Sequence, residues 1–250
     1  MFETLCDLIP EFESLFCDQY SVSLRNDANT VSNKLGEAIV AIFMDLANMI
    51  HHDPVKAAVL GGRIHPLVRY VMNYLILTCD YQQTLEQVFE DNGHLLKEYL
   101  KLDDIVPSSS SFSVIDHIME VLENNLEAKS KVYNDPALCC VFLMNSSSYI
   151  LNKAKDNEFG EFLGNDMIQK HKAKVIYYYE QYQRISCNKV LGFLKLDKSG
   201  LVPPSMVEKL KSFNILFEEI CKVQSLWFVF DEQLRDVIRI SLKRDLLPVY

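Results

Sequence analysis

The seven cysteines of this 250-residue chain include no CxxC pair, and their number is odd. That pattern argues against a disulfide framework and reads as free buried thiols in a reducing compartment. His51-His52-Asp53 lacks any HxxxH or HExxH spacing, and adjacent imidazoles on a helix diverge. A helix end followed by Pro54 explains it better than a metal site. Gly61-Gly62-Arg63 lacks the length and the GK[ST] of a phosphate loop and reads as a turn easing the chain into a helix at Pro66. No nucleophile elbow is present, and Cys187 and His171 are far apart in sequence. These absences leave no catalytic constellation, so neither an enzyme nor a cofactor is expected. Basic excess is missing too: 25 Lys plus Arg stand against 34 Asp plus Glu, a net charge of −9. Nonspecific nucleic-acid binding over the whole surface is thereby disfavoured. Glu3 and Asp7 interrupt the first apolar residues, so no signal-peptide pattern opens the chain. The expected location is cytosolic, with membranes reached from their cytoplasmic side.

Long apolar runs are equally scarce. The 17 uncharged residues 136–152 fall short of the roughly 20 that a spanning helix needs, and Asn145 and Ser146 to Ser148 sit in their middle. Asp135 supplies an N-cap oxygen, and the fixed φ of Pro136 suits the first helical position. Leu138, Val141, Phe142, Asn145 and Tyr149 then recur at helical spacing, which predicts a buried core helix. The Asn145-Ser146-Ser147 sequon inside it is not expected to be glycosylated.

Period 3.6 dominates the remainder. Val31, Leu35, Ala38, Ile42, Leu46 and Met49 form one stripe, ended by Asp53-Pro54. Ile115, Ile118, Met119, Leu122 and Leu126 form a second, and Met206, Leu210, Phe213, Phe217 and Ile220 a third. Leu234, Val237, Ile238 and Leu242 make a fourth. Gly160, Gly164 and Gly200 fall where helices are expected to end. Loops are expected at 21–29, 51–64, 103–111 and 197–204. Strand-like runs are few and lack hairpin turns, so the fold class is all-α: one helical domain over 1–250, divisible into sub-bundles 1–106 and 107–250. Antiparallel pairs stacked end on end would make an elongated rod, and a compact bundle fits the same pattern.

Charge is unevenly spread along the chain. Residues 1–165 hold 11 basic and 24 acidic groups, whereas 166–250 hold 14 basic and 10 acidic ones. Within the basic end, Arg235, Arg239 and Lys243 recur every four residues on one helix face, with Arg244 beside them. Such a face binds anionic headgroups at roughly 1 kcal/mol per basic residue near the membrane. It is equally an ordinary solvated face, partly neutralised by Asp231, Asp236 and Asp245. A second cluster, Lys170, His171, Lys172 and Lys174, is expected to open a helix through residues 176–179. Cations there oppose the helix dipole and point weakly to an anion, or simply to a solvated helix start. Arg63, His65 and Arg69 form a smaller patch with no evident chemistry.

Five strings carry a further signal: IHPLVRYVMNYL (64–75), KSKVYNDPALCCVFLMN (129–145), EFLGNDMIQKHKAKV (161–175), KSFNILFEEICKVQSLW (211–227) and QLRDVIRISLKRDLLPVY (233–250). Together they resemble the plant-type seventy-kilodalton subunit of the exocyst, the vesicle-tethering complex, whose members carry these phrases in this succession. The resemblance implies a rod of stacked helical bundles with no enzymatic activity. It also implies tethering of secretory vesicles to the plasma membrane and phosphoinositide binding through basic residues at and just beyond the last helix. Lys170, Lys172 and Lys174 join Arg235, Arg239, Lys243 and Arg244 as the candidate lipid-binding set. Implied partners are the other exocyst subunits, anionic phosphoinositides, and small GTPases or immune-related proteins.

Some positions depart from the family. Met167 and Cys187 stand where relatives have Trp, and residues 228–232 replace a Pro-Asp-Pro corner, so the turn before the last helix is expected to be less fixed. The resemblance covers a C-terminal half, without the assembly coil of relatives and ending before their tail. A shortened paralogue or an excised domain would account for this. The rival expectation is a protein-interaction module that no longer tethers or binds lipid, since plant relatives are also engaged by pathogen effectors or occur within immune receptors.

Overall fold

Helices make up most of what the computed structural model describes of the chain, namely residues 2–55, 58–100, 111–155, 157–191 and 206–246. Among those residues there is no strand, and eleven α-helices follow one another. They are α1 (Phe2–Leu15), α2 (Val22–His52), α3 (Pro66–Cys79), α4 (Gln82–Asp91), α5 (Gly93–Leu100), α6 (Ser111–Ser130), α7 (Pro136–Lys153), α8 (Asn157–Leu163), α9 (Asn165–Leu191), α10 (Met206–Gln224) and α11 (Glu232–Leu246). The all-α class expected from periodicity is the class observed. Among the described residues, no helix is long and apolar enough to cross a membrane. The loop expected at 197–204, with Gly200, lies outside the described residues, as does the loop expected at 103–111 except for Ser111, which opens α6.

Two units partition the chain, and neither is a continuous stretch of sequence. One draws on Met1–Asp53 and Leu75–Glu123, the other on Pro54–Tyr74 and Asn124–Tyr250.

In the first unit α2 is the organising helix, and it begins earlier than its polar sequence suggests. Asp18 accepts from the N–H groups of Tyr20 and Ser21 at 2.8 and 2.9 Å, nucleating a short 3-10 turn that runs directly into α2. Residues 22–29 are therefore helix, not the expected loop, because a capped end tolerates a polar first two turns. The apolar stripe also needs correction. Gly36, Val40, Phe43, Met44, Leu46, Ala47 and Ile50 are buried, whereas Val31, Ala38, Ile42 and Met49 are exposed. Apolar residues occur on several sides of α2, and the packed side is the one containing its glycine. A Cβ at Gly36 would lie 2.9 Å from Asn92 Nδ2, so the small residue admits the α4–α5 junction. There Phe43 meets Phe89 edge to face at 5.2 Å.

In the second unit α7 packs along α9, and a core of Ala137, Cys140, Val141 and Met144 closes on Tyr182 and Ile238. Asp135 caps α7 by accepting from Ala137 N–H at 2.8 Å, as Asp-Pro predicts. The stripe of α6 is confirmed: Ile115, Ile118, Met119 and Leu122, which belong to the first unit, and Leu126, which belongs to the second, are all buried. Gly164, at φ 84°, ends α8 with its N–H on the carbonyls of Gly160 and Glu161. Gly160 is inside α8 rather than at its end, where a Cβ would stand 2.7 Å from Ala154 O. The described cysteines are free, but not all buried: Cys140 is, while Cys17 and Cys221 are exposed.

Candidate functional site

The basic helix is held by the segment that precedes it. Residues 226–231 leave the helical path after Gln224, where α10 ends, and return to it at Glu232. No proline fixes this corner; buried hydrogen bonds do. Asn145 lies in the middle of α7 with no solvent exposure. Its Nδ2 donates to Gly62 O at 2.8 Å and to Phe228 O at 2.6 Å, and its Oδ1 accepts from Phe230 N–H at 2.8 Å. Phe228 N–H in turn donates to Gly61 O at 2.8 Å. One amide thus ties α7 to the double-glycine turn and to the corner before α11, so the expected looseness of that corner does not arise.

The glycines are required by geometry. Gly61 and Gly62 have φ of 66° and 67°, which L side chains rarely adopt. A Cβ on Gly61 would fall 2.6 Å from Leu226 O, and one on Gly62 3.0 Å from Leu138 Cδ1. The Arg63 guanidinium lies over the Phe228 ring at 5.0 Å, which gives this member of the small basic patch a structural place. His65 Nδ1 accepts from Leu67 N–H at 3.2 Å, at the start of α3. One turn further along the same face of α7, Tyr149 meets Phe230 at 5.7 Å. Tyr133 donates its hydroxyl to Val59 O at 2.9 Å, and burial pushes its pKa up to about 12.

Asp231 opens α11. Its Oδ1 accepts from Leu234 N–H at 3.0 Å, while Oδ2 accepts from Ser148 Oγ at 3.2 Å and Asn152 Nδ2 at 3.0 Å. Partial burial would raise its pKa, but these donors and the Lys155 charge outweigh it and hold the carboxyl below its ordinary 3.8. The serines that kept residues 136–152 from reading as a membrane span thus have structural roles: Ser148 helps cap α11, and Ser146 donates to Phe142 O at 2.9 Å within α7.

On α11 the four cations do not share one environment. Arg235 is half-buried, with Nη2 3.6 Å from Glu232 Oε1, and its Nε is buried without a hydrogen-bond partner. Arg239 is exposed, 3.5 Å from Asp236. Lys243 and Arg244 are exposed, and Arg244 donates to Ser241 Oγ at 3.2 Å. The expected uniform stripe is thus a gradient, because the helix buries Ile238 and Ser241 and Arg235 lies on the edge of that side. Val237 was expected to face the core, yet it is 50% exposed and Ile240 68%, both beside the outer cations. The side chain of Asp245 lies outside the described set.

The lysine cluster differs more from expectation. α9 opens at Asn165 with Asp166 in its first turn, so Lys170, Lys172 and Lys174 occupy its second and third turns. The helix dipole acts within the first turn, and the argument that these cations oppose it does not apply. Lys170 and Lys172 are exposed, His171 is buried, and Lys174 pairs with Glu127 of α6 at 3.5 Å. α11 joins α9 through Gln183 and Ser241 at 2.8 Å, about two and a half turns beyond Lys174. Among the described residues no group of His, Cys, Asp and Glu could hold a metal ion. His51 and His52 close α2, with His52 Nδ1 2.8 Å from Asn48 O.

Sequence reasoning missed Asn145 as the organising residue. The signal was present: one amide side chain on the helical stripe of an otherwise apolar run, a placement that a buried helix tolerates only when partners come from elsewhere.

Comparison with known proteins agrees with this architecture. A family model describing the C-terminal region of Exo70, an exocyst complex subunit, matches residues 1–250. Exocyst complex component EXO70B1 of Arabidopsis thaliana is 53% identical over 257 residues, covering 100% of this chain and 39% of that protein. EXO70B2 of the same plant is 46% identical over 250 residues, covering 100% and 40%. Human exocyst complex component 7 is 28% identical over 269 residues, covering 96% and 34%. The chain thus spans about two fifths of the length of the curated plant relatives it matches. It belongs to the Exo70 family of the exocyst complex and corresponds to the C-terminal region of that family's members.

Proposed function

We propose that this chain serves as a non-enzymatic exocyst module that helps tether secretory vesicles to the plasma membrane, touching anionic phosphoinositide through the outer face of α11. The observation that carries the reading is the exposure of Arg239, Lys243 and Arg244 on the last two turns of that helix. Asp236, itself exposed, lies 3.5 Å from Arg239, a separation at which water screens the pair strongly. At roughly 1 kcal/mol per cation, three cations supply ~3 kcal/mol, a hundredfold in affinity. Arg235, half-buried beside Glu232, contributes less than its spacing implied. Lys170 and Lys172 are exposed and remain in the candidate set, while Lys174 is partly committed to Glu127. Membership of an exocyst family supports other exocyst subunits as partners.

Sedimentation with vesicles tests the lipid contact. Vesicles containing phosphatidylinositol bisphosphate should retain the protein, neutral vesicles should not, and Arg239→Glu with Lys243→Glu should cut binding at least about tenfold. Equal binding to neutral vesicles, or indifference to the double reversal, refutes the lipid role.

A second reading, an interaction module without tethering or lipid binding, is favoured by the exposed apolar residues Val31, Ala38, Ile42 and Met49 along α2. Affinity capture from plant extract separates the two readings. Recovery of other exocyst subunits supports tethering, and recovery of immune proteins without them supports the alternative.

A further inference from the structure

A cavity of about 330 Å³ opens among the N-terminal end of α7, the C-terminal third of α9 and the second half of α10, apart from the outer face of α11. Its walls are apolar: Ile185, Leu216, Ile220, Val223 and Trp227. Its polar floor is already satisfied from within, because Gln224 Oε1 accepts from Tyr182 OH at 2.8 Å and Gln224 Nε2 donates to Ser186 Oγ at 3.1 Å. A ligand would therefore find few hydrogen-bonding groups to compete for at the bottom. Charge enters through two carboxylates that also line the cavity, Asp135 and Glu219. Asp135 spends Oδ1 on the N–H of Ala137, and among the described residues neither carboxylate is in an ion pair.

Volume and charge together select the occupant. Ligand sites run from ~300 to ~1,000 Å³, so this one is small and suits one or two side chains rather than a cofactor. Apolar walls ask for a large hydrophobic residue, and two carboxylates outside any ion pair among the described residues ask for cations next to it. An anionic membrane surface is repelled by the same carboxylates. We propose that this groove docks a short segment of a partner protein in which a large apolar side chain is flanked by Lys or Arg. The site is distinct from the outer face of α11 and stands whether or not that face binds lipid.

Trp227 makes the test direct, since it is the single tryptophan of the chain and lines the groove. The whole chain would be titrated with a short, tryptophan-free, end-blocked peptide carrying Phe-Leu between arginines, and with its counterpart carrying Glu in place of Arg. Emission from Trp227 should change saturably with the basic peptide, and the acidic one should bind about tenfold more weakly. Glu219→Lys, at an exposed position that leaves the fold intact, should reverse that order. Ile220→Glu should abolish binding of both labelled peptides by anisotropy. The proposal is overturned by the absence of a saturable response to the basic peptide or by equal affinity for both. It is likewise overturned by an order that Glu219→Lys leaves unchanged, or by a Trp227 response to anionic vesicles in place of the peptide.

Discussion

α7 and α11 begin alike and end in different regimes. Each is capped by an aspartate, Asp135 or Asp231, whose carboxylate accepts a backbone N–H of the first turn. In α7 the polar side chains then turn inward, and Asn145 and Ser148 bond to groups 83 to 85 residues distant. In α11 the ion pairs are local, between Arg235 and Glu232 and between Arg239 and Asp236, three residues apart in each case. Bonds of the first kind start from buried side chains that water does not reach, so their loss carries much of the desolvation cost. Exposed local pairs contribute little, and their loss is absorbed by solvent. The helix that determines the fold is thus a poor place for adaptable chemistry, and the helix suited to binding carries little of the stability.

The sharpest way to break this contrast is Asn145→Ala. It strands Gly62 O, Phe228 O and Phe230 N–H together, and should cost at least about 3 kcal/mol at ~1–3 kcal/mol per unsatisfied group. For a chain of this size that lowers the melting temperature on the order of 10 °C. Arg239→Ala in α11, read by the same thermal melt, should stay within about 0.5 kcal/mol of the parent. Equal losses at the two sites would erase the distinction.

Gly61→Ala comes next, at about 2–3 kcal/mol, because it forces a side chain into a positive-φ position and against Leu226 O. Chemical denaturation should show a lower midpoint with an unchanged slope.

Asp231→Asn sharpens the comparison through pH. The Asp231 carboxyl is held below 3.8 in the fold, so its stabilising contribution is complete above that pH and is lost as pH falls through the lower folded value. The asparagine variant still offers a cap, but it should lose stability less steeply than the parent in acid below about pH 4. Parallel acid limbs in the two proteins would contradict the assigned role.

The smallest effect is on reactivity. Burial pushes the Cys140 thiol up to about 11, with Cys139 and Asp135 adding to the rise. Alkylation near neutral pH should therefore modify the exposed Cys17 and Cys221 first and leave Cys140 for the unfolded state.

Much of the fold was legible where local chemistry and burial agree. Asp135-Pro136 marks the start of α7 in the sequence and in space, and the α6 stripe is buried as its period requires. Legibility failed on α2, where apolar residues surround the helix and Gly36, which no hydrophobicity scale rewards, marks the packed side. It failed on α11 for a related reason: Val237 reads as core, yet the face that packs is set by Ile238 and Ser241. Of the candidate site, the spacing of the basic residues was visible, but their unequal exposure was not. Exposure depends on which side α9 covers, and that is decided more than fifty residues earlier in the chain, around Gln183. The corner before α11 was expected to be loose because it lacks prolines, whereas an amide from α7 fixes it.

The long reach of Asn145 has a consequence for how the molecule is made. As the polypeptide leaves the ribosome, α7 is translated in full before its stitching partner Phe230 exists, 85 positions downstream. Until that stretch emerges, Gly62 O is the one of these partners already made, and the rest of the Asn145 amide stays with water. The core around Asn145 is complete only once the 226–231 corner has arrived, so ribosome-bound chains arrested just before it should stay open to proteases while those arrested well beyond it should not.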